Sequence, residues 1–390
     1  MESKKSFKRL VLSVFFFIIL FTGCEDQTKN EIIHVHTDHQ AKLFDDYITV
    51  DEFNQIHPKQ IQLQKRFNQL IQKESTPVIS GVQNQTVKIA FIYPGKQVSD
   101  YWIRSIKSFK ARMDEIGIKY EIIEFFTRAG SVDIQKQEQI MKSVLKKNTD
   151  YLVFTMNVMK HKNLIERIVT KGRPKIFLQN ITTPLRMWEG KQPLLYVGFD
   201  HVIGSMLLAD YFIKKTNGKG NYAVLFFTEG YVSDMRGDTF INYLKNNSEL
   251  KLKAAYYTQG QRNKAKQAVL NILKKSSDLE FIYTCSTDVA LGAIDALKES
   301  GKLGTIEVNG WGGGSSELKS ILDKEMDVTI MRMNDDNGVA MAEAIRLDIE
   351  GKTGQIPVIF SGDFTLIEKT ISLNELNELQ NRAFRYSGNN

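Results

Sequence analysis

The sequence predicts an α/β protein made of two doubly wound parallel-sheet lobes joined by a three-crossover hinge. Three observations carry this. Short apolar runs alternate with amphipathic stretches along the chain. The alternation stops near residue 217 and starts again at 222. The length, 390 residues, exceeds what one ordinary core organises.

The elements follow in chain order. MESKKSFKR is basic, and LVLSVFFFIILF (10–21) is an apolar run of twelve residues, short of the roughly 20 that span a bilayer. Residues 1–23 therefore read as a secretory signal peptide. Thr22-Gly23-Cys24 after it has two readings: a lipobox whose Cys24 becomes a lipid-bearing N-terminus, or ordinary cleavage near Gly23 beside an incidental cysteine. Both place the mature protein outside the cytoplasm, in the periplasm. Residues 25–42 are polar and aperiodic, as a tether would be; their His34, His36 and His39 lack the acidic or cysteine context of a metal site. The stretch 43–72 reads as helices packing on the main body. Apolar runs at 87–93, 120–126, 151–156, 175–179 and 194–199 read as strands, with amphipathic helices such as 101–117 and 133–147 between them. The second set of strands is 222–227, 254–258, 281–285, 305–310 and 327–333. Strand–helix alternation means parallel sheets covered on both faces. The expected organisation is a tether and preface over 24–60, a first lobe over 61–217 plus 334–361, and a second over 218–333 plus 362–390. Crossings are expected near 216–220, 332–336 and 361–364.

Ligands of such sheets sit beyond the carboxyl ends of the strands, and the loops there are rich in polar side chains. YPGKQVSDYW follows the first strand, with Ser99 or Asp100 expected as a helix N-cap. Asn180 follows the fourth strand. Arg236 lies in SDMRGDTF; Ser286, Thr287 and Asp288 follow FIYTC; Arg332 ends its own strand. NGWGGGSS (309–316) looks like a phosphate cradle but lacks the lysine and the glycine spacing that chemistry needs. Its glycines read instead as a turn that presents Trp311 to the cleft. Both arginines have structural alternatives: Asp335 or Asp336 could pair Arg332, and Asp234 or Asp238 could pair Arg236.

The net charge of +7 includes +3 in the signal segment, leaving a mild excess that does not ask for nucleic acid. With Cys24 set aside, Cys285 is the only cysteine, inside an apolar run, so it reads as a small buried residue. No nucleophile or metal motif suggests an enzyme.

VGFDHVIGSMLLADY, SDMRGDTF, STDVALGAIDALKESGK and VNGWGGGSSEL together resemble the ribose/galactose class of periplasmic binding proteins, over about residues 80–370. YPGKQVSDYW, LQNITTP, YVGFDH, RGDTFI, CSTDVALGA, NGWGGGS and MRMNDD more narrowly resemble the LuxP-type periplasmic receptors for the quorum-sensing signal autoinducer-2, from residue 47 to 387. The resemblance implies the type I periplasmic binding protein fold and a furanosyl borate diester as ligand, boron entering only as part of that ligand and with no cofactor. It also implies signal transduction through a membrane-bound hybrid sensor kinase of the LuxQ type. Carried over by motif, the pocket is Gln97, Ser99, Trp102, Asn180, Arg236, Thr287, Asp288, Trp311 and Arg332. Two guanidiniums suit an anion. The competing reading is a lipoprotein binding component of an uptake transporter for a sugar or an unborated autoinducer.

Overall fold

A computed structural model describes residues 46–95, 97–126, 134–155 and 161–388. The signal segment, Cys24 and the tether histidines lie outside the described residues.

The first lobe is a six-stranded parallel sheet: β1 (Val87–Tyr93), β2 (Tyr120–Phe126), β3 (Tyr151–Phe154), β4 (Lys175–Gln179), β5 (Leu195–Gly198) and β11 (Ile359–Ser361), in the order β2-β1-β3-β4-β5-β11. Central β3 is apolar and buried along its whole length, whereas edge strand β2, YEIIEFF, buries no residue fully. This is the expected difference between a strand covered on both faces and one at a margin. One face is covered by α3 (Tyr101–Ile116) and α11 (Asp335–Ile349), through Phe109, Met113, Val339 and Ile345. The other face carries α4 (Ile134–Leu145) and α5 (Lys162–Lys171). The preface forms α1 (Val50–Ile56), capped by the Thr49 side chain, and α2 (Lys59–Gln72), whose Phe67 and Ile71 enter the first core.

The second lobe centres on β6 (Asn221–Phe226), β7 (Lys251–Tyr257), β8 (Leu279–Thr284) and β9 (Glu307–Val308), in the order β7-β6-β8-β9. Bridges from Asn309 to Val328 and from Gly312 to Met331 continue it to β10 (Val328–Arg332). β10 then pairs antiparallel with β12 (Phe364–Glu368), from Val328↔Glu368 to Arg332↔Phe364. That antiparallel margin and the strands β11 and β12 were not expected from sequence; Gly362, at a lobe crossing, splits their apolar run into pieces too short to show a period. Helices α8 (Arg262–Lys275), α9 (Thr287–Glu299), α10 (Ser315–Leu322) and α12 (Leu373–Ala383) cover one face. Helices α6 (His201–Thr216) and α7 (Thr239–Asn247) cover the other.

The placement of α6 corrects one expectation. The helix was assigned to the first lobe with a crossing near 216–220, but Leu208, Ala209 and Phe212 belong to the second core, where Phe212 stacks on Phe281 at 4.0 Å. The first crossing therefore precedes the helix, between Gly198 and the N-cap Asp200. The apolar stripe of α6 is the same whichever sheet it meets, so its sequence does not reveal the partner. The other crossings run beside the first: Gly362 N–H donates to Gly198 O and Met333 N–H to Asp363 O.

Candidate functional site

The carboxyl ends of both sheets face one cavity of about 520 Å³ of empty space, its mouth included. All nine residues named from sequence line it, although they come from six separate loops. Pro94, Tyr101, Thr155, Phe227 and Val232 complete the lining together with Ser286, which the sequence places after FIYTC without assigning it to the pocket. Thr155 directly follows strand β3, a position that could have found it.

The first lobe contributes Gln97 and Ser99 from the loop after β1, and Tyr101 and Trp102 from the first turn of α3. The Trp102 ring lies 4.7 Å from that of Tyr93 and 4.6 Å from that of Tyr101, forming an aromatic wall. Asn180 follows β4 with φ +65°, a left-handed conformation that asparagine tolerates better than most residues. Asp100 holds the N-cap position of α3, as expected, but its side chain makes no capping hydrogen bond there. Its Oδ2 instead accepts from Arg104 Nε and, across the cleft, from the N–H and hydroxyl of Ser315. A second interlobe bond runs from Val98 N–H to Asp288 Oδ1 at 3.1 Å.

The second lobe contributes both arginines. Arg236 lies in a wide helical turn, Asp234–Asp238, and is 4% exposed. Its Nη1 donates to Cys285 O at 2.7 Å, and its guanidinium carbon sits 3.7 Å from the Trp311 ring centre. Its Nε is buried without a partner. Burial, and then the charge of Arg332, bring its pKa down to about 9, so it stays charged at neutral pH. Arg332, 5% exposed, donates from Nε to Gly312 O and lies 4.2 Å from the Tyr101 ring. Burial also lowers its pKa.

The structural alternatives for Arg332 do not occur. Asp336 is held by Arg382 and Arg385, and Asp335 accepts from the backbone N–H groups of Tyr386 and Ser387. Among the described residues no carboxylate forms an ion pair with Arg236 or Arg332. Glu317, and for Arg332 also Asp100, act on these guanidiniums without forming ion pairs, so an anion between the two would offset part of the cost of burying them. The hydroxyls of Thr155 and Ser286 are also buried and unpartnered at the cavity wall.

The glycine loop is organised by Glu317, which sequence reasoning passed over. Its buried carboxylate accepts from Trp311 N–H (3.1 Å), Gly313 N–H (2.7 Å) and Thr329 Oγ1 (2.5 Å). Gly313 has φ +61°, which a side chain would strain. At Gly314 a Cβ would meet Asp100 Oδ1 at 2.2 Å, so the glycine makes room for the interlobe contact. Trp311 is 1% exposed, and its indole N–H donates to Ser205 Oγ. That N–H is spent inside the second lobe, and only ring surface remains for the cavity.

The site can grip a small polar ring between aromatic walls and two fixed positive charges. Among the described residues no group of His, Cys, Asp and Glu is placed to hold a metal ion. Cys285 is fully buried, and burial pushes its thiol pKa up, as fits a packing residue.

Residues 89–353 match the family described as periplasmic binding protein domain. The chain is 23% identical over 279 residues to the D-allose-binding periplasmic protein of Escherichia coli, covering 70% of this chain and 87% of that one. It superimposes with TM-score 0.67 and 19% identity on an Agrobacterium vitis transporter solute-binding protein with bound D-fucose, covering 74% and 98% of the two chains. A XylFII–LytSN complex gives TM-score 0.64 at 18% identity, covering 73% and 99%. The preface helices and the C-terminal helix α12 lie outside the matched span.

Proposed function

Because the chain belongs to the periplasmic binding protein domain family, a family of extracytoplasmic solute-binding proteins rather than enzymes, we propose that it is a receptor for autoinducer-2. The ligand is the furanosyl borate diester, held between the lobes. Ligand that touches both lobes favours the closed form by its differential affinity for the two states. Closure is then relayed to a membrane-bound hybrid sensor kinase of the LuxQ type, and Cys24, once lipidated, tethers the receptor at the membrane.

One observation carries the choice of ligand: two buried guanidiniums face the cavity, and among the described residues neither forms an ion pair with a carboxylate. A neutral sugar donates through every hydroxyl and calls for acceptors, whereas this lining is rich in donors. Arg236 and Arg332 supply fixed donors and charge to a tetrahedral borate, Trp102 and Trp311 give apolar walls, and Thr155, Ser286 and Asn180 address ring hydroxyls.

The second reading, the binding component of a sugar uptake transporter, is favoured by the D-allose and D-fucose binding of the similar proteins above. The discriminating measurement is boron content and ligand release from protein purified out of a host that makes autoinducer-2. About one boron per chain, released with signalling activity on denaturation, supports the receptor. A boron-free sugar in the cavity would transfer the protein to the uptake class.

A further inference from the structure

Behind the cavity lies a histidine that no contact with a ligand explains. His201, the first residue of α6, is 1% exposed, with its ring 5.5 Å from that of Tyr231 and 5.2 Å from that of Trp311. Its Nε2 lies 3.3 Å from Nη2 of Arg236 and 3.3 Å from Oδ1 of Asn180, both cavity-lining residues. Its Nδ1 is buried without a partner.

Two neutral tautomers compete: with its proton on Nε2 the ring donates to Asn180 Oδ1 but sets an N–H against Arg236, and with its proton on Nδ1 it accepts from Arg236 but leaves that proton without a partner. A guanidinium only donates and carries charge, so its contact favours the second, in which Nε2 offers its lone pair. That lone pair cannot also face the amide oxygen of Asn180. The conflict is removed when the amide exchanges its ends, giving its NH2 to the ring and its oxygen to the cavity.

We infer that His201 is a positioning residue: as a neutral acceptor it fixes the Arg236 guanidinium over Trp311 and turns the Asn180 oxygen toward the ligand. The pocket then demands a donating hydroxyl beside Asn180, next to the anionic part of the ligand held by Arg236. This deepens the reading of the site as a receptor for a hydroxylated anion and rests on it. The protonation state of the ring does not.

The surroundings support the neutral form. Arg236 faces the ring from the 234–238 turn, and Arg332 acts from β10. Burial first, then these two charges, push the imidazole pKa well below its ordinary value. Tyr231, on the remaining side, stays protonated because burial pushes its phenol up to about 12. The Asp200 carboxylate is occupied by the N–H groups of Val202 and Ile203, its pKa raised by burial. Among the described residues no carboxylate hydrogen-bonds or ion-pairs with the imidazole.

The test has two arms. Long-range ¹H–¹⁵N correlation on the labelled mature chain, with His201 assigned by its loss in His201→Gln, should show a neutral ring protonated on Nδ1 from roughly pH 5 to 8. A ring protonated on Nε2, or one that charges within that range, would overturn the proposal. The second arm measures affinity for autoinducer-2 in excess borate. His201→Gln keeps an acceptor and should stay within about threefold of wild type, while His201→Leu should lose about tenfold or more. Equal losses in both variants, with circular dichroism and Tm unchanged, would also overturn it. If wild type itself fails to bind autoinducer-2, the ligand assignment falls, and the ring's tautomer still decides the role of His201.

Discussion

The Asp100 carboxylate, at the start of α3 in the first lobe, accepts from both the backbone N–H (3.2 Å) and the hydroxyl (2.8 Å) of Ser315, at the start of α10 in the second. Burial opposes its ionisation, but Arg104 and Ser315 together hold its carboxyl below the usual range. Arg104 ties the same point to the C-terminal residues by donating to Ser387 Oγ and Gly388 O. The two lobes are thus latched to each other beside the cavity. Charge-assisted bonds of this kind contribute about 1.5–3 kcal/mol. Asp100→Ala should weaken ligand binding by roughly 10- to 100-fold and enlarge the radius of gyration of the ligand-free protein in X-ray scattering. Ser315→Ala keeps the N–H and should do less. Equal affinity in wild type and Asp100→Ala would show that the latch does not bias closure.

Removing either cavity arginine should separate binding from stability. Arg236→Ala or Arg332→Ala is expected to weaken binding of the borated ligand by about 2–5 kcal/mol, because each leaves the anion short of a buried partner. The same change removes a buried, unpaired charge from the free protein, so Arg332→Met should leave the ligand-free Tm unchanged or raise it. Calorimetric titration and thermal melts on the same samples check both. Unchanged affinity in the two alanine variants would remove the basis for an anionic ligand.

Trp311 serves the core as well as the site, and its replacement should show both. The ring packs in the second core and carries the Arg236 guanidinium. Trp311→Ala should cost about 3–5 kcal/mol of stability through the cavity it leaves. Loss of the cation–π contact adds about 0.5–2 kcal/mol against binding. Trp311→Phe should recover most of the stability and part of the affinity. Urea unfolding followed by titration distinguishes the two components.

Asp234 predicts a pH effect with a definite sign. Burial, then repulsion from Asp238, raise its pKa to about 7 in the folded protein. The folded state therefore holds this proton more tightly than the unfolded chain, whose aspartate titrates near its ordinary value of about 3.9. Stability falls as pH rises through the window between the two and stays reduced above it. Asp234→Asn should raise Tm at pH 8 and have little effect at pH 4. An equal shift at both values would mean that the effect is steric.

The alternation of apolar runs and amphipathic stretches was enough to predict the parallel sheets, because a strand buried on both faces, such as YLVF, must be apolar throughout. The nine residues that line the cavity came from the motif resemblance, and most of them also stand in or next to the βα loops, which at the carboxyl ends of parallel strands converge on one cleft. The lobe to which α6 belongs was not legible, because its stripe of Leu208, Ala209 and Phe212 would suit either sheet. Strands β11 and β12 are too short for periodicity to mark them. Glu317 and His201 were passed over because each acts through contacts with groups distant in sequence or hidden behind the pocket wall.

Sequence alone determined most of the helices and strands, the parallel pairing of the two main sheets and the loops that face the cleft, since these depend on local periodicity and on the direction of each strand. Tertiary structure alone decided which partners those side chains have. Arg236 and Arg332 could each have met a neighbouring aspartate along the chain. Packing gave the hinge aspartates Asp335 and Asp336 to the C-terminal segment instead, placed Trp311 beneath one guanidinium and Tyr101 beside the other, and left both positive charges facing the cavity. Which side chains form ion pairs is a property of three-dimensional neighbours, because residues far apart in the chain compete for the same charge.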